Sequence, residues 1–561
     1  MIKERRWRLL VDTFILGIVG ALSARLFVYL LRFTQDLFLT RLASYQPPGL
    51  PNEAGLHLEL IGPYGLWLIP VATTLGGLLS GVLVYSLAPE AEGHGTDTVV
   101  KAFHRAGGYI RARVAPIKLV ASVLTIGSGG AAGREGPTAL ISAGIGSIYA
   151  TLSHRSDDER RLLVLIGMAA GLSAIFRSPI GTAIFAIEVL YSEIEFEAGA
   201  LLYTMLGAVV AYAINGLFVG WKPLFHVSPD TGVPGFYDYG WYAVLGIASG
   251  FIAILLPFVF YSFRALFRKI SVPPHLKPAI GGFGVGLLAL FLPQVLGGGY
   301  GWIQQAIDGN LGATLLIVLL FAKILAFSLT VSSGGSGGVF APSLFVGAML
   351  GGFLSKIFHQ PSDAFVIVGM TAVFGGAAHV PVATLLMVPE MTGGYQLLVP
   401  ASLAVMLSYL VQVTISKRLR YQSLYEAQVP SRADSPAHHI EHMRTAMRLL
   451  NERRISLPRT FSHLNLYSIL TSGIPVDLPD GKQLTIGVLK PESSWIGKPF
   501  ETGFLSEVDD EIEIIAIFRN GHLIFPHPDT ILESGEQILV VATNKAMKWL
   551  EEHISPVPPG K

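Results

Sequence analysis

Apolar runs of membrane-spanning length recur along most of this chain. Stretches free of Asp, Glu, Lys and Arg cover 66–87, 199–221, 242–261, 278–296, 324–355 and 391–416, and 161–190 qualifies with a few charges. A bilayer core takes roughly 20 apolar residues per helix, so these runs predict a polytopic membrane protein. Another largely apolar run, 9–31, follows Lys3, Arg5, Arg6 and Arg8. Ala21-Leu22-Ser23 would suit signal cleavage, but the run continues past it and predicts a retained first helix. The basic flank predicts a cytoplasmic N-terminus. Gly or Pro interrupts many runs, and broken helices need their freed backbone groups buried in protein or facing a cavity. The expected helices are therefore short, tilted and re-entrant.

The pattern changes near Arg418. Beyond it, 483–489, 511–517 and 535–542 read as strands, Arg519-Asn520-Gly521 as a turn and 544–554 as an amphipathic helix. The expected organisation is a transmembrane domain over 1–430, a linker over 431–474 and a small cytoplasmic α+β domain over 475–556.

Composition agrees with lipid as the solvent. Charged residues make up 14% of the chain, against about 25% in soluble domains, and mean hydropathy is +0.54. A formal net charge of +1 gives no electrostatic case for nucleic acid. The chain has no cysteine, which excludes disulfides, thiolate metal sites and cysteine nucleophiles. Its 62 glycines suit close helix approach in a membrane.

An internal repeat organises the apolar region. Residues 128–146 align without a gap on 333–351, matching Ser128, Gly129, Gly130, Gly133, Pro137, Ala143 and Gly146 with Ser333, Gly334, Gly335, Gly338, Pro342, Ala348 and Gly351. A second alignment pairs Gly167-Met168 with Gly369-Met370, Pro179 with Pro381 and Glu188 with Glu390. The repeat halves are expected at about 60–220 and 240–416. Transporters built this way place their site at the repeat interface. Each copy has Gly-x-x-x-Pro leading into an apolar helix. A helix N-terminus presents free N–H groups and a partial positive charge, an anion site that needs no lysine. The first copy adds Arg134-Glu135, and ionisable residues at membrane depth are costly and functional by default. An ionised Glu135 would occupy the anion's place and a protonated one would leave it, which makes this residue a gate and a proton carrier.

Gly133-Arg134-Glu135-Gly136-Pro137 together with Gly338-Val339-Phe340-Ala341-Pro342 resembles the CLC family of chloride channels and proton/chloride exchangers, over about 8–429. The resemblance implies an all-α fold of about 18 short, tilted helices in two inverted repeats, a homodimer in the cell membrane, and no enzymatic activity. It implies a gate at Glu135 and anion contacts at Gly133, Arg134, Gly136, Val339, Phe340 and Tyr425. Two positions depart from the family pattern. Gly93-His94-Gly95-Thr96-Asp97 carries His94 where a serine usually faces the anion and Asp97 where a proline stands. A neutral imidazole N–H can still donate to an anion, so His94 joins the expected anion ligands. Val189 stands where many exchangers have an internal proton-accepting glutamate. That favours a passive, voltage- or pH-gated chloride channel, with a proton-coupled antiporter as the alternative. Glu188 and Glu390 are expected to stabilise helix ends.

The C-terminal domain resembles the TrkA-C half of potassium-regulatory modules. Such domains dimerise and some bind cyclic dinucleotides, so the resemblance implies a cytoplasmic C-terminal domain with a regulatory or dimer-stabilising role; nucleotide binding there is a hypothesis, and no cofactor is expected. A cation transporter regulated through this domain is the remote alternative, though cation sites want carboxylates or carbonyls in the membrane. His438 and His442 have metal-ligand spacing but sit with His439 in a polar linker, so no metal is expected. Gly334-Gly335-Ser336-Gly337-Gly338 matches a nucleophile elbow only in letters, because its flanks are membrane helices.

Overall fold

The computed structural model describes residues 2–50, 59–227, 235–417, 419, 421–432, 435, 437, 476–477, 482–498, 512–519, 522–524 and 530–556. The chain divides into two compact units, Met1–Pro430 and Ser431–Lys561. His438, His439, His442, Asn520, Gly521 and most of the 431–474 linker lie outside the described residues.

The first unit is helical, with sixteen α-helices among the described residues. Helices α1 to α8 are Ile2–Gln35, Ile69–Leu87, Thr96–Arg105, Val114–Gly127, Glu135–Leu152, Asp157–Phe176, Pro179–Glu188 and Leu201–Val219. Helices α9 to α16 are Asp238–Lys269, Lys277–Ala289, Tyr300–Ile307, Ala313–Ser332, Phe340–Phe358, Ser362–Ala378, Pro381–Thr392 and Leu398–Ser416. A two-residue ladder, β1 (Tyr45–Gln46) with β2 (Leu60–Ile61), follows α1. Helices such as Ile69–Leu87, Asp238–Lys269 and Ala313–Ser332 are long and apolar enough to cross a membrane, whereas Val114–Gly127, Pro179–Glu188 and Ser362–Ala378 are apolar but short.

Two apolar runs that look continuous in the sequence are each a pair of helices. Run 324–355 is the end of α12 and most of α13, parted by a loop in which Gly334 has φ 101°. Run 161–190 is α6 and α7. Arg177 takes the left-handed conformation at φ 55° and closes α6 with its N–H on the Ser173 carbonyl. Pro179 then opens α7, where its missing N–H costs nothing. His379, at φ 57°, and Pro381 repeat this break between α14 and α15.

The repeat extends over the whole unit. α1 packs on α4, α5, α6 and α8, and α9 packs on α12, α13, α14 and α16. The first half therefore reaches back to α1, ahead of the boundary near residue 60 that identity suggested. The halves meet where α2 lies on α10 and α7 on α15. At the second contact each helix caps the other. Glu390, near the end of α15, accepts from Ser178 Oγ at 2.5 Å, Gly181 N–H at 2.8 Å and Ile180 N–H at 3.2 Å. Glu188, the last residue of α7, accepts from Ala383 N–H at 2.6 Å and Val382 N–H at 3.1 Å. The two carboxylates satisfy N–H groups that helix starts leave without partners. Glu188 is fully buried. Its replacement by alanine strands two buried donors and is expected to cost about 3 kcal/mol. Thermal unfolding of the full-length protein in detergent should show Glu188→Ala melting well below the wild type, with Glu188→Gln between them.

The second unit contains β3 (Val476–Asp477), β4 (Lys482–Leu489), β5 (Ile512–Arg519), β6 (His522–Ile524), β7 (Gln537–Thr543), helix α17 (Asn544–His553) and β8 (Ile554–Pro556). The sheet order is β3-β4-β7-β5-β6, with β8 also pairing β4, and every pairing is antiparallel. Alternate residues Ile538, Val540 and Ala542 of β7 point into a core with Leu489, Trp495 and Leu550. Thr543 caps α17 by accepting the Ala546 N–H.

Candidate anion site

The two Gly-x-x-x-Pro motifs meet inside the first unit. Gly133 N–H donates to the Gly338 carbonyl at 2.8 Å, and Gly338 N–H donates to the Gly133 carbonyl at 2.7 Å. This reciprocal antiparallel pair sits where a two-fold relating the halves must pass. Helices α5 and α13 begin two residues beyond it, at Glu135 and Phe340, positions that coincide in the repeat alignment. The sequence reading put Gly133 among the anion contacts. Its N–H is instead committed to Gly338, so Gly133 shapes the backbone and is not an anion donor.

Glu135 is 4% exposed, and its Oε1 accepts the Ala341 N–H at 2.9 Å. The Phe340 N–H faces the same carboxylate. A carboxylate from the first half thus rests on the helix start of the second. Its other oxygen, Oε2, is buried without a hydrogen-bond partner among the described residues. A Cβ placed on either Gly133 or Gly338 would fall on this carboxylate, which is the steric reason for glycine at both positions. Val339 and Phe340, the residues named from the sequence, stand at the N-cap and first position of α13, but the donor that meets Glu135 is Ala341. Ala341 is the repeat counterpart of Gly136, a signal the alignment already held. The Phe340 ring packs on Phe176 and Phe374, with centroids 4.7 and 4.5 Å away.

Arg134 lies on the other side of the gate. Its guanidinium sits 4.7 Å from the centre of the Tyr300 ring, a cation–π arrangement. It lines a cavity of about 340 Å³ with Arg32, Gln35, Tyr300 and Trp302.

The 93–97 segment approaches α5 from the opposite direction. The His94 carbonyl lies so close to Gly136 that a Cβ there would collide with it. Gly136 therefore serves close packing at the start of α5. Lys118 of α4, fully buried, fixes the segment by donating to the carbonyls of Ala91 at 3.0 Å and Gly93 at 2.6 Å. Lys323 of α12, its repeat counterpart, holds the Val295 and Gly297 carbonyls, both at 2.7 Å. His94 is 5% exposed, and its Nε2 lies 3.2 Å from Asp97 Oδ2. Asp97 Oδ1 accepts the Ala427 N–H at 3.2 Å. The contact of Nε2 with Asp97 bears on the expectation that a neutral His94 donates to an anion. A neutral ring has one N–H, and the carboxylate of Asp97 takes it at Nε2, which leaves Nδ1 as a bare acceptor.

Tyr425 closes the cluster. Its ring is 5.4 Å from that of His94, and its hydroxyl meets the Thr96 side chain. The segment carrying it is pinned by Leu424 N–H on the Ala377 carbonyl, by the Tyr261 hydroxyl on the Leu424 carbonyl, and by Gln428 on the carbonyls of Tyr191 and Ala378. A second cavity, of about 380 Å³, opens here and is lined by Lys101, Arg105, Ser423, Tyr425, Glu426 and Gln428. Val189 is fully buried at the end of α7 and offers no titratable atom.

The two cavities each have two basic residues and one acidic residue in their lining, Arg32, Arg134 and Asp36 in the first and Lys101, Arg105 and Glu426 in the second. Besides Ala341, the sequence reading lacks Lys118 and Lys323, and it names Asp97 without its pairing to His94. Asp97 stands three residues after His94, in the first turn of α3, while His94 lies in the turn that precedes Gly95. Lys118 and Lys323 are lysines inside apolar helices, which is itself a signal.

Residues 76–413 match the family model described as voltage gated chloride channel, and residues 485–555 match the TrkA-C domain. The chain is 31% identical to an H(+)/Cl(-) exchange transporter, ClcA, of Cronobacter sakazakii, over 60% of this chain and 75% of that protein. It is 29% identical to a voltage-gated ClC-type chloride channel, ClcB, of Salmonella typhimurium, over 74% of this chain and 98% of that one. Among solved structures it resembles a slow cyanobacterial Cl-/H+ antiporter, with a TM-score of 0.65 at 21% identity over 78% of this chain and 98% of the other. It also resembles a CLC-type fluoride/proton antiporter, with a TM-score of 0.64 at 22% identity over 76% and 98% of the two chains. At these identities the solved structures establish the fold.

Proposed function

Because the chain belongs to the voltage-gated chloride channel (CLC) family of membrane anion transporters, we propose that it exchanges chloride for protons, with Glu135 as both gate and proton carrier. The observation that carries this reading is the seat of Glu135, whose carboxylate accepts the Ala341 N–H at the start of α13. An ionised carboxylate there is bound as an anion would be bound, by helix-end N–H groups. Chloride and the carboxylate compete for one place, so taking up a proton at Glu135 and taking up chloride become linked events.

Sequence alone leaned towards a channel, because Val189 cannot hold a proton. The relatives lean the other way, since proteins about 30% identical are named proton/chloride exchangers. In this reading the anion passes from the cavity at Arg134, past Glu135, to the cavity at Tyr425. Arg134 concentrates anions at its mouth, and the Tyr425 hydroxyl with the α13 N–H groups replaces part of the anion's hydration. Two copies of the chain form the working unit, each with its own pathway and both termini cytoplasmic. The C-terminal unit regulates transport, with a cyclic dinucleotide as its candidate ligand.

The test is a reversal potential. Full-length protein in a planar bilayer, with equal chloride on both sides and a pH gradient across it, should reverse away from zero. A reversal that stays at zero while chloride current flows identifies a channel and overturns the exchange reading.

A further inference from the structure

His94 has one ring nitrogen fixed and one free. Nε2 is held by Asp97, whereas Nδ1 is buried without a hydrogen-bond partner among the described residues. A buried polar atom left unpaired is costly, and the ring that carries this one lies 5.4 Å from that of Tyr425, which lines the second cavity. The charge on Asp97 sharpens the point. Asp97 is 7% exposed, and with a neutral His94 the pair leaves a buried negative charge beside the path of an anion. One proton on Nδ1 neutralises the pair and converts the bare acceptor into a donor.

We propose that the His94–Asp97 pair is a proton-dependent ligand for the transported anion at the Tyr425 end of the pathway. The proton arrives from the cavity lined by Lys101 and Tyr425, binds His94 Nδ1, and the new N–H is offered to the anion. Anion affinity at this end is then higher with the proton bound than without it, so it falls as pH rises.

The other charged and titratable groups around the pair leave this assignment standing. On α3, Lys101 lies 3.6 Å from Glu426. On α4, Lys118 is turned to the Ala91 and Gly93 carbonyls. On α5, Glu135 is seated on Ala341. On α9, Arg264 lies 3.0 Å from Glu426, and the Tyr261 hydroxyl is bonded to the Leu424 carbonyl. Glu426 thus offsets two cations, the Tyr425 hydroxyl is engaged with Thr96, and Asp97 is the carboxylate that faces the imidazole.

The inference rests on anion passage along the proposed route and not on proton exchange, so the two can fail separately. Glu135 also responds to pH, and the test therefore removes it first. Chloride binding to full-length Glu135→Gln protein, read by calorimetry across about pH 5 to 8, should be roughly tenfold tighter at the acid end, the worth of one charge-assisted hydrogen bond. The double variant Glu135→Gln/His94→Ser should bind chloride with no such dependence. Retention of the full pH dependence in the double variant overturns the proposal. If the double variant does not fold, Glu135→Gln/Asp97→Asn decides. Loss of the facing carboxylate must move the midpoint of the pH dependence to lower pH, and an unmoved midpoint overturns the proposal equally. The reversal potential of the wild type under a pH gradient at equal chloride judges exchange, whatever these variants do.

Discussion

Vesicles containing Glu135→Gln should carry chloride but no longer move protons with it. Glutamine has the shape of the carboxylic acid and cannot release a proton at any working pH. Its carbonyl oxygen can still accept the Ala341 N–H, the bond that Oε1 makes at 2.9 Å, so the fold around α13 needs no rearrangement. What disappears is the charge that competed with chloride for the helix start. Proton uptake driven by a chloride gradient, followed with a pH electrode, should fall to the leak of protein-free vesicles. Chloride efflux should persist and lose the part of its pH dependence that comes from the gate. Proton movement at the wild-type rate would remove Glu135 from its assigned role.

Gly338→Ala is expected to have the second large effect, through sterics. A Cβ at Gly338 would meet the Glu135 carboxylate and, at 2.8 Å, the backbone nitrogen of Gly136. The carboxylate can move, but the α5 backbone cannot yield cheaply. Overpacking of this kind costs about 1–3 kcal/mol, and here it also strains the reciprocal bonds between Gly133 and Gly338. The variant should melt at a lower temperature, and its gate should sit displaced from Ala341. Chloride flux that barely responds to pH would report that displacement. Gly240→Ala is the control, because a Cβ there has nothing within 4 Å. If Gly338→Ala matches this control in both melting and pH response, the steric account fails.

The broad architecture was legible because lipid leaves a strong trace in sequence, and long uncharged runs locate the helices. The same trace hides helix boundaries. A helix buried in protein and one facing lipid are equally apolar, so 324–355 and 161–190 read as single spans, although Gly334 and Arg177 break them. Glu135 announced itself as a carboxylate at membrane depth. Its acceptance of the Ala341 N–H did not, because backbone donors have no residue type to reveal them. Lys118 and Lys323 were hidden likewise, since their partners are loop carbonyls distant along the chain. His94 and Asp97 were both noticed, but as separate departures from a family pattern. Their pairing depends on the turn at Gly95 that brings His94 back onto the start of α3, and what it does to the imidazole's single N–H became visible only with the coordinates.

The reciprocal hydrogen bonds between Gly133 and Gly338 look the same from either face of the membrane. A scaffold built on such an axis has no preferred direction of its own. Sidedness must come from positions where the halves differ. At the helix starts the first half offers an acid, Glu135, and the second an aromatic ring, Phe340. At the lysine-held loops the first offers His94 and the second Gly298. These two unequal pairs lie at the start of the repeat helices and at the lysine-held loops, where the two-fold frame itself is kept.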